Sequence, residues 1–440
     1  MRKRIKRLFC LLMVALCLSG CSMRTVDQMY VLPKRSKDYS NLQSAIDQAM
    51  AGLEFCAPLS GDNQQTVQIA DVDGDEQQEY LVFAKGSSEI PLRVLVFDRQ
   101  EDGFLHIDTI ESNGTAFDQV EYIQMDDKPG VELVVGRQLS DQLMRSVSVY
   151  TFSSGEAEQM VTTNYRKFVT LDINDDGYSE LFLLRPGQTE TDNGVAELYS
   201  MKNGIMERSN EVNMSCPVDQ LKRILVGKLL DNKTAVYVAS AVEDTSLITD
   251  VYAKNGEKLT NVSLSKESGT SVQTLRNYYV YADDIDDDAV VELPRLVQMI
   301  PLDSTNAPER SDLILWYALG SDGTVTEKQY TYYDSTGGWY LKLDNDSAPR
   351  ITVERQSSVF AFYLWKDDYS SAQKLMTIYT LTGQNREEQS VESGRFILLK
   401  TDTVTYAASL DAAAAKYDIT QQSLIEDFYL IHRDWNTGEM

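Results

Sequence analysis

A short acidic turn recurs along this chain, each time between two apolar runs, and it limits the possible folds more than any other feature. Val67-Gln68-Ile69-Ala70 leads into Asp71-Val72-Asp73-Gly74-Asp75, and Glu79 opens Tyr80-Leu81-Val82-Phe83. Phe168-Val169-Thr170-Leu171 leads into Asp172-Ile173-Asn174-Asp175-Asp176-Gly177, with Glu180 before Leu181-Phe182-Leu183-Leu184. A third copy, Asp284-Ile285-Asp286-Asp287-Asp288, has Glu292 at the same offset. In all three, oxygen-bearing side chains stand at positions 1, 3, 5 and 9 of the turn. Two weaker copies fall between them. One is Asp126-Asp127-Lys128-Pro129-Gly130-Val131-Glu132, which reads as shortened by two residues, and the other is Asp231-Asn232-Lys233. Successive first Asp residues are 55, 46, 59 and 53 apart, which is a repeat period.

A second turn recurs in the later half of each unit. Val96-Phe97 precedes Asp102-Gly103, Val149-Tyr150 precedes Gly155, Leu198-Tyr199 precedes Asn203-Gly204, Val251-Tyr252 precedes Asn255-Gly256 and Trp316-Tyr317 precedes Asp322-Gly323. Asn-Gly and Asp-Gly accept positive φ and so mark tight hairpins. Each unit thus holds about four strands in some fifty residues, the content of a propeller blade. The expected fold is mainly β: a β-propeller of about five to six four-stranded blades over residues 63–334.

The Asp71 and Asp172 turns resemble those of the FG-GAP/VCBS repeat family. The resemblance implies an extracellular, integrin-alpha-like propeller used for adhesion or ligand binding, with Ca²⁺ held in the turns. Its candidate ligands are Asp71, Asp73, Asp75 and Glu79; Asp172, Asn174, Asp176 and Glu180; and Asp284, Asp286, Asp288 and Glu292. Two departures stand out: Glu76 and Ala289 occupy the place of Gly177, and Glu replaces the more usual Asp at position 9. Calcium takes about six to eight hard oxygens, and alternate residues of a tight turn can aim three carboxylates inward together. The competing reading is that Asp, Asn and Gly form turns by capping their own backbone amides.

Arg2, Lys3, Arg4, Lys6 and Arg7 precede an apolar run from Leu8 to Leu18, the pattern of a signal peptide. Leu18-Ser19-Gly20-Cys21 resembles the lipobox of bacterial lipoproteins. That resemblance implies removal of residues 1–20, lipidation of Cys21, and a protein tethered to the cell membrane and facing outside the cytoplasm. Residues 21–38 read as the tether, and residues 39–62 as a helix and lead-in, with Ser40 as its cap. Once the signal and Cys21 are set aside, Cys56 and Cys216 remain, either as one disulfide or as two separate thiols.

After residue 334 the spacing changes. Residues 335–440 read as a small α+β domain, with an Ala-rich helix near Ser409 to Lys416 and another starting at Thr420; the alternative is further propeller blades. The aromatic run Val359 to Trp365 suits either a glycan platform or a buried strand.

The net charge of −26 leaves no basic footprint for nucleic acid. The two histidines, His106 and His432, give little for a zinc site or a His-dependent triad. The sequence carries no G-x-S-x-G, H-E-x-x-H, Walker A or G-x-G-x-x-G motif. The leading expectation is therefore a non-enzymatic binding or scaffold protein of the cell envelope, with a protein or glycan ligand and calcium as a structural ion. The alternative is an envelope glycan hydrolase or lyase using carboxylates in the propeller channel.

Overall fold

The computed structural model describes residues 37–431, except 102, 140–143, 190, 244, 300–311 and 367–370. The signal peptide, Cys21, most of the tether and His432 lie outside the described residues. Among the described residues, no helix is long and apolar enough to cross a membrane.

The chain is mainly β. Helix α1 (Lys37–Ala49) comes first. It already contains Ser40, whose carbonyl accepts from Ser44 Oγ, so the expected cap is an interior position. Asp38 stands in the first turn instead, where the helix dipole favours an acid.

Six antiparallel sheets follow in chain order. The first comprises β1 (Glu54–Phe55), β2 (Val67–Ala70), β3 (Glu79–Lys85), β4 (Leu92–Gln100) and β5 (Gly103–Ser112), with β1 and β2 sharing one edge of β3. The second is β6 (Ala116–Ile123), β7 (Glu132–Gln138), β8 (Arg145–Thr151) and β9 (Glu158–Tyr165). The third is β10 (Lys167–Leu171), β11 (Glu180–Arg185), β12 (Val195–Lys202) and β13 (Ile205–Asn213). The fourth is β14 (Leu221–Lys228), β15 (Thr234–Val242), β16 (Ser246–Asn255) and β17 (Lys258–Asn261). The fifth is β18 (Glu292–Gln298), β19 (Asp312–Leu319), β20 (Val325–Asp334) and β21 (Trp339–Leu343). The sixth contains β22 (Ile351–Gln356), β23 (Val359–Leu364), β24 (Gln373–Thr382), β25 (Phe396–Lys400) and β26 (Val404–Leu410). Strand β27 (Phe428–Leu430) returns to pair with β21 in the fifth sheet.

Side chains alternate between faces along a strand, and here both faces of the second strand meet apolar neighbours. Leu133 and Val135 pack on the first sheet, while Val134 packs on the third. Leu181 and Leu183 pack on the second sheet, and Phe182 and Leu184 on the fourth. Val236 and Val238 face back to the third sheet, and Ala235 and Tyr237 forward to the fifth. This two-sided burial is why β3, β7, β11 and β15 read as continuous apolar runs rather than alternating ones. The last strands of these sheets, such as β9 and β13, are largely exposed.

A closed propeller ring would set the sixth sheet against the first. Instead, the free face of the first sheet, with Val82, Leu95 and Phe97, is covered by Leu42 and Ile46 of α1 and their neighbours. Among the described residues, no hydrophobic cluster joins the sixth sheet to the first.

The expected boundary at residues 334 and 335 falls inside the hairpin of β20 and β21. The Ala-rich segment is not a helix: β26 runs through Leu410, and Ala414–Tyr417 is a single 3₁₀ turn. Helix α2 (Arg386–Gln389) lies within the sixth sheet's connections. Helix α3 (Gln421–Glu426) does start at Thr420, with a reciprocal cap from Ser423. In the aromatic run, Phe360 and Phe362 are core residues between the fifth and sixth sheets, beside Trp339, so they offer no glycan platform.

Candidate functional site

The acidic turns join the first strand of a sheet to the second, and one contact defines them. The Glu at position 9 accepts from the backbone N–H of position 2: Glu79 from Val72 at 2.8 Å, Glu180 from Ile173 at 3.0 Å and Glu292 from Ile285 at 3.0 Å. Asp at position 1 then accepts from two later amides. Asp71 takes Gly74 and Glu76, Asp172 takes Asp176 and Gly177, and Asp284 takes Asp288 and Ala289. Asp75, Asp176 and Asp288 at position 5 each accept from the amide two residues on. Glu76, Gly177 and Ala289 share a positive φ, so the three turns are equivalent corners. Amide capping and carboxylate clustering thus coexist in one loop.

The same contact identifies a fourth corner and corrects its register. Glu132 accepts from the Met125 N–H at 2.9 Å, which makes Gln124, not Asp126, position 1. That turn is full length rather than shortened by two. The Asp231 turn lacks the corner: Leu229 N–H bonds the Lys233 carbonyl, and Asp231 instead accepts from Ser321.

Carboxylate oxygens of Asp71, Asp73 and Glu79 lie within 4.8 Å of one another, as do those of Asp284, Asp286 and Glu292. Either cluster could hold a metal ion. Glu79 and Glu292 are fully buried, and their Oε1 atoms have no hydrogen-bond partner. Burial, with Asp73, Asp71 and Asp75 nearby, pushes the Glu79 carboxyl up to about 7. Burial pushes Glu292 up to about 8, with Asp286 and Asp288 adding to the rise and Lys328 opposing it. Glu180 is raised by burial, against the Ile173 N–H and the Lys254 ammonium. Asp172, Asn174, Asp176 and Glu180 form no comparable carboxylate cluster, because position 3 is an amide.

Cys56 and Cys216 are both free thiols: Cys56 packs between the first two sheets, and Cys216 is buried near Asp250. The disulfide considered from the sequence is not formed. His106 is exposed on β5 and shares a hydrogen bond with Thr109.

Sequence reading missed a cleft of about 830 Å³ at the corner end of the second, third and fourth sheets. Its walls include Asp126 and Lys128 from one corner, Asp176, Tyr178 and Glu180 from the next, and Lys202, Lys254 and Glu257 from two hairpins. Lys254 Nζ lies 3.5 Å from Glu180 Oε1, and Lys202 pairs with Glu257 at 2.6 Å. No local motif announces it, since its parts are spread over 130 residues; only the Asn203-Gly204 and Asn255-Gly256 hairpins point to two of its walls. A group of acids and lysines around an open cleft can orient a polar chain and exchange protons with it.

No protein-family model matches this chain, and no curated protein sequence does either. Solved structures similar to it include a rhamnogalacturonan lyase, YesW, at 10% identity and TM-score 0.30, covering 73% of this chain and 74% of that one. Another is the rhamnogalacturonan lyase of Bacillus licheniformis, at 9% identity and TM-score 0.30, covering 77% and 80%. A third is a protein from Lactobacillus plantarum, at 8% identity and TM-score 0.27, covering 72% and 86%. Two of these three are structures of rhamnogalacturonan lyases, which stands against the expectation of a non-enzymatic binding or scaffold protein. Likeness this distant assigns no residue of this chain a role.

Proposed function

We propose that this protein cleaves a glycan at the cell envelope, as a hydrolase or lyase working in the cleft beside the Asp126 and Asp176 corners. The reading rests on one observation: a buried carboxyl held above its usual range, Glu180, shares an open cleft with other carboxylates and three lysines. Glycosidic cleavage needs a proton donor and a base or nucleophile. Glu180 takes the donor role because burial raises its carboxyl against the opposing Ile173 N–H and Lys254 ammonium, and Asp126 or Asp176, which line the same cleft, takes the second role. Lys128 and Lys202 would position an acidic sugar, and the Tyr178 ring a sugar face. The carboxylates lie at the loop end of the sheets, not in a central channel.

In this proposal the six sheets are blades of an open FG-GAP/VCBS-like propeller. Calcium is a structural ion held at a carboxylate cluster of the corners, and the lipid on Cys21 holds the protein on the outer side of the cell membrane. Supporting these readings are the shared corner geometry, the two carboxylate clusters and the signal-like N-terminus.

The test incubates the full-length chain in detergent with neutral and uronate-containing polysaccharides. New reducing ends report any cleavage, and ultraviolet absorbance of an unsaturated uronate separates elimination from hydrolysis. Glu180→Gln, checked for folding by circular dichroism, is expected to slow cleavage by about 10²-fold or more. Absence of cleavage on every substrate, or full activity of folded Glu180→Gln, defeats the proposal.

A further inference from the structure

The four corners share the contact from the position-2 N–H to the position-9 glutamate but not one charge balance. In the second, Gln124 stands at position 1, and the Lys128 ammonium at position 5 lies 3.8 Å from Asp126. In the third, Asn174 donates its amide to Glu180 Oε1 at 2.5 Å, and Lys254 lies 3.5 Å from the same oxygen. The oxygen a metal would take there already has its donors. In the Asp284 corner, Lys328 reaches across from β20, hydrogen-bonds Asp288 and lies 3.9 Å from Asp286. Each of these corners brings its own cation or amide to the acids.

The first corner brings no cation; its one side-chain amide, Gln77, donates to Asp75 at 2.9 Å and leaves Glu79 Oε1 without a donor. Among the described residues, no Lys, Arg or His pairs with Asp71, Asp73, Asp75 or Glu79. Glu79 belongs to the carboxylate cluster, and its Oε1 is buried and accepts no hydrogen bond. A buried carboxylate oxygen left without a partner is costly, and a bound cation removes that cost.

We propose that the Asp71 corner alone takes up a divalent cation of the calcium class, and that Lys328 stands in for such an ion in the Asp284 corner. This rests on the calcium reading above and departs from the family resemblance, under which each corner would be a metal site. Lys328 cancels part of the charge of Asp286 and Asp288, and like-charge repulsion keeps a divalent ion out until the ammonium leaves. Glu292 Oε1 remains without a donor, so the Asp284 corner is a metal site that one side chain blocks.

The test is direct calcium binding to the full-length chain, stripped with chelator, by equilibrium dialysis and calorimetry. The expected result is one ion per chain, lost in Glu79→Gln and unaffected by Asp284→Asn. Lys328→Met is expected to bind a second ion, and adding Glu292→Gln to it should remove that second ion. Two ions of similar affinity in the unmodified chain, loss of the ion in Asp284→Asn, or no second ion in folded Lys328→Met overturns the assignment. Should Lys328→Met fail to fold, Asp284→Asn and Glu79→Gln still decide between the corners. No bound ion at all defeats the calcium reading together with this one. Because the readout is the ion, the result stands apart from whether the protein cleaves a glycan.

Discussion

Gly74→Ala tests whether neighbouring corners lock the first two sheets together. Gly74 has φ +82°, and a Cβ there would lie 2.3 Å from Pro129 Cβ, 2.4 Å from the Pro129 carbonyl carbon and 2.5 Å from the Gly130 nitrogen. Two of those three atoms are backbone, so no side-chain rotation relieves the clash. The left-handed conformation costs an L-residue about 1–2 kcal/mol. Forcing a methyl group into filled space costs about 1–3 kcal/mol more. Gly74→Ala should therefore destabilise the protein by about 2–5 kcal/mol. Gly177→Ala is the internal control: its φ is +90°, but nothing lies within 4 Å of the added Cβ. Only the backbone term applies there, and Ala289 already adopts φ 68° at the matching position of another corner. Urea unfolding followed by circular dichroism gives the two midpoints, and an unchanged slope allows them to be read as stability. Amide hydrogen exchange over residues 67–138 should place the Gly74→Ala loss at the contact of the two corners. Equal shifts for the two variants would refute the reasoning.

Two further outcomes follow from buried acids. Asp250 is fully buried and accepts from the Ser215 N–H and hydroxyl, the Asn261 amide and the Ser271 hydroxyl at 2.6–2.8 Å. Asp250→Ala strands those donors and should lower the unfolding free energy by roughly 3 kcal/mol or more; a change under about 1 kcal/mol would show that water replaces the carboxylate. With calcium chelated, stability should fall between about pH 5 and 8. Glu79 and Glu292 are raised to about 7 and 8 in the folded chain, so the folded state keeps protons that the unfolded state has released. That contribution is complete below the ordinary glutamate value and is lost as pH rises through the folded values. A urea midpoint that holds steady or climbs over this window in chelator would contradict it.

The corners were legible in the sequence because their chemistry is local. Asp71, Asp172 and Asp284 bond amides no more than five residues on, and the position-9 glutamates reach back seven, so the pattern survives in a linear reading. Gln124 was passed over for the opposite reason: it carries no acid, and only the Glu132 to Met125 contact fixes its place. The start of α1 was misplaced because Ser40 fits a cap motif while lying inside the helix. The propeller ring was inferred from the content of one blade, but closure depends on what covers the outer face of the first sheet, and α1 does so.

Composition and periodicity by themselves determined a mainly β chain of repeated sheets joined by acidic corners, since strand alternation and turn chemistry act over a few residues. Which corner keeps its charge uncompensated was decided only in three dimensions. Lys254 and Lys328 stand 74 and 40 residues from the acids they meet, so no local pattern could pair them. The cleft between three sheets and the separation of Cys56 from Cys216 are decided in the same way, by packing that brings distant strands face to face.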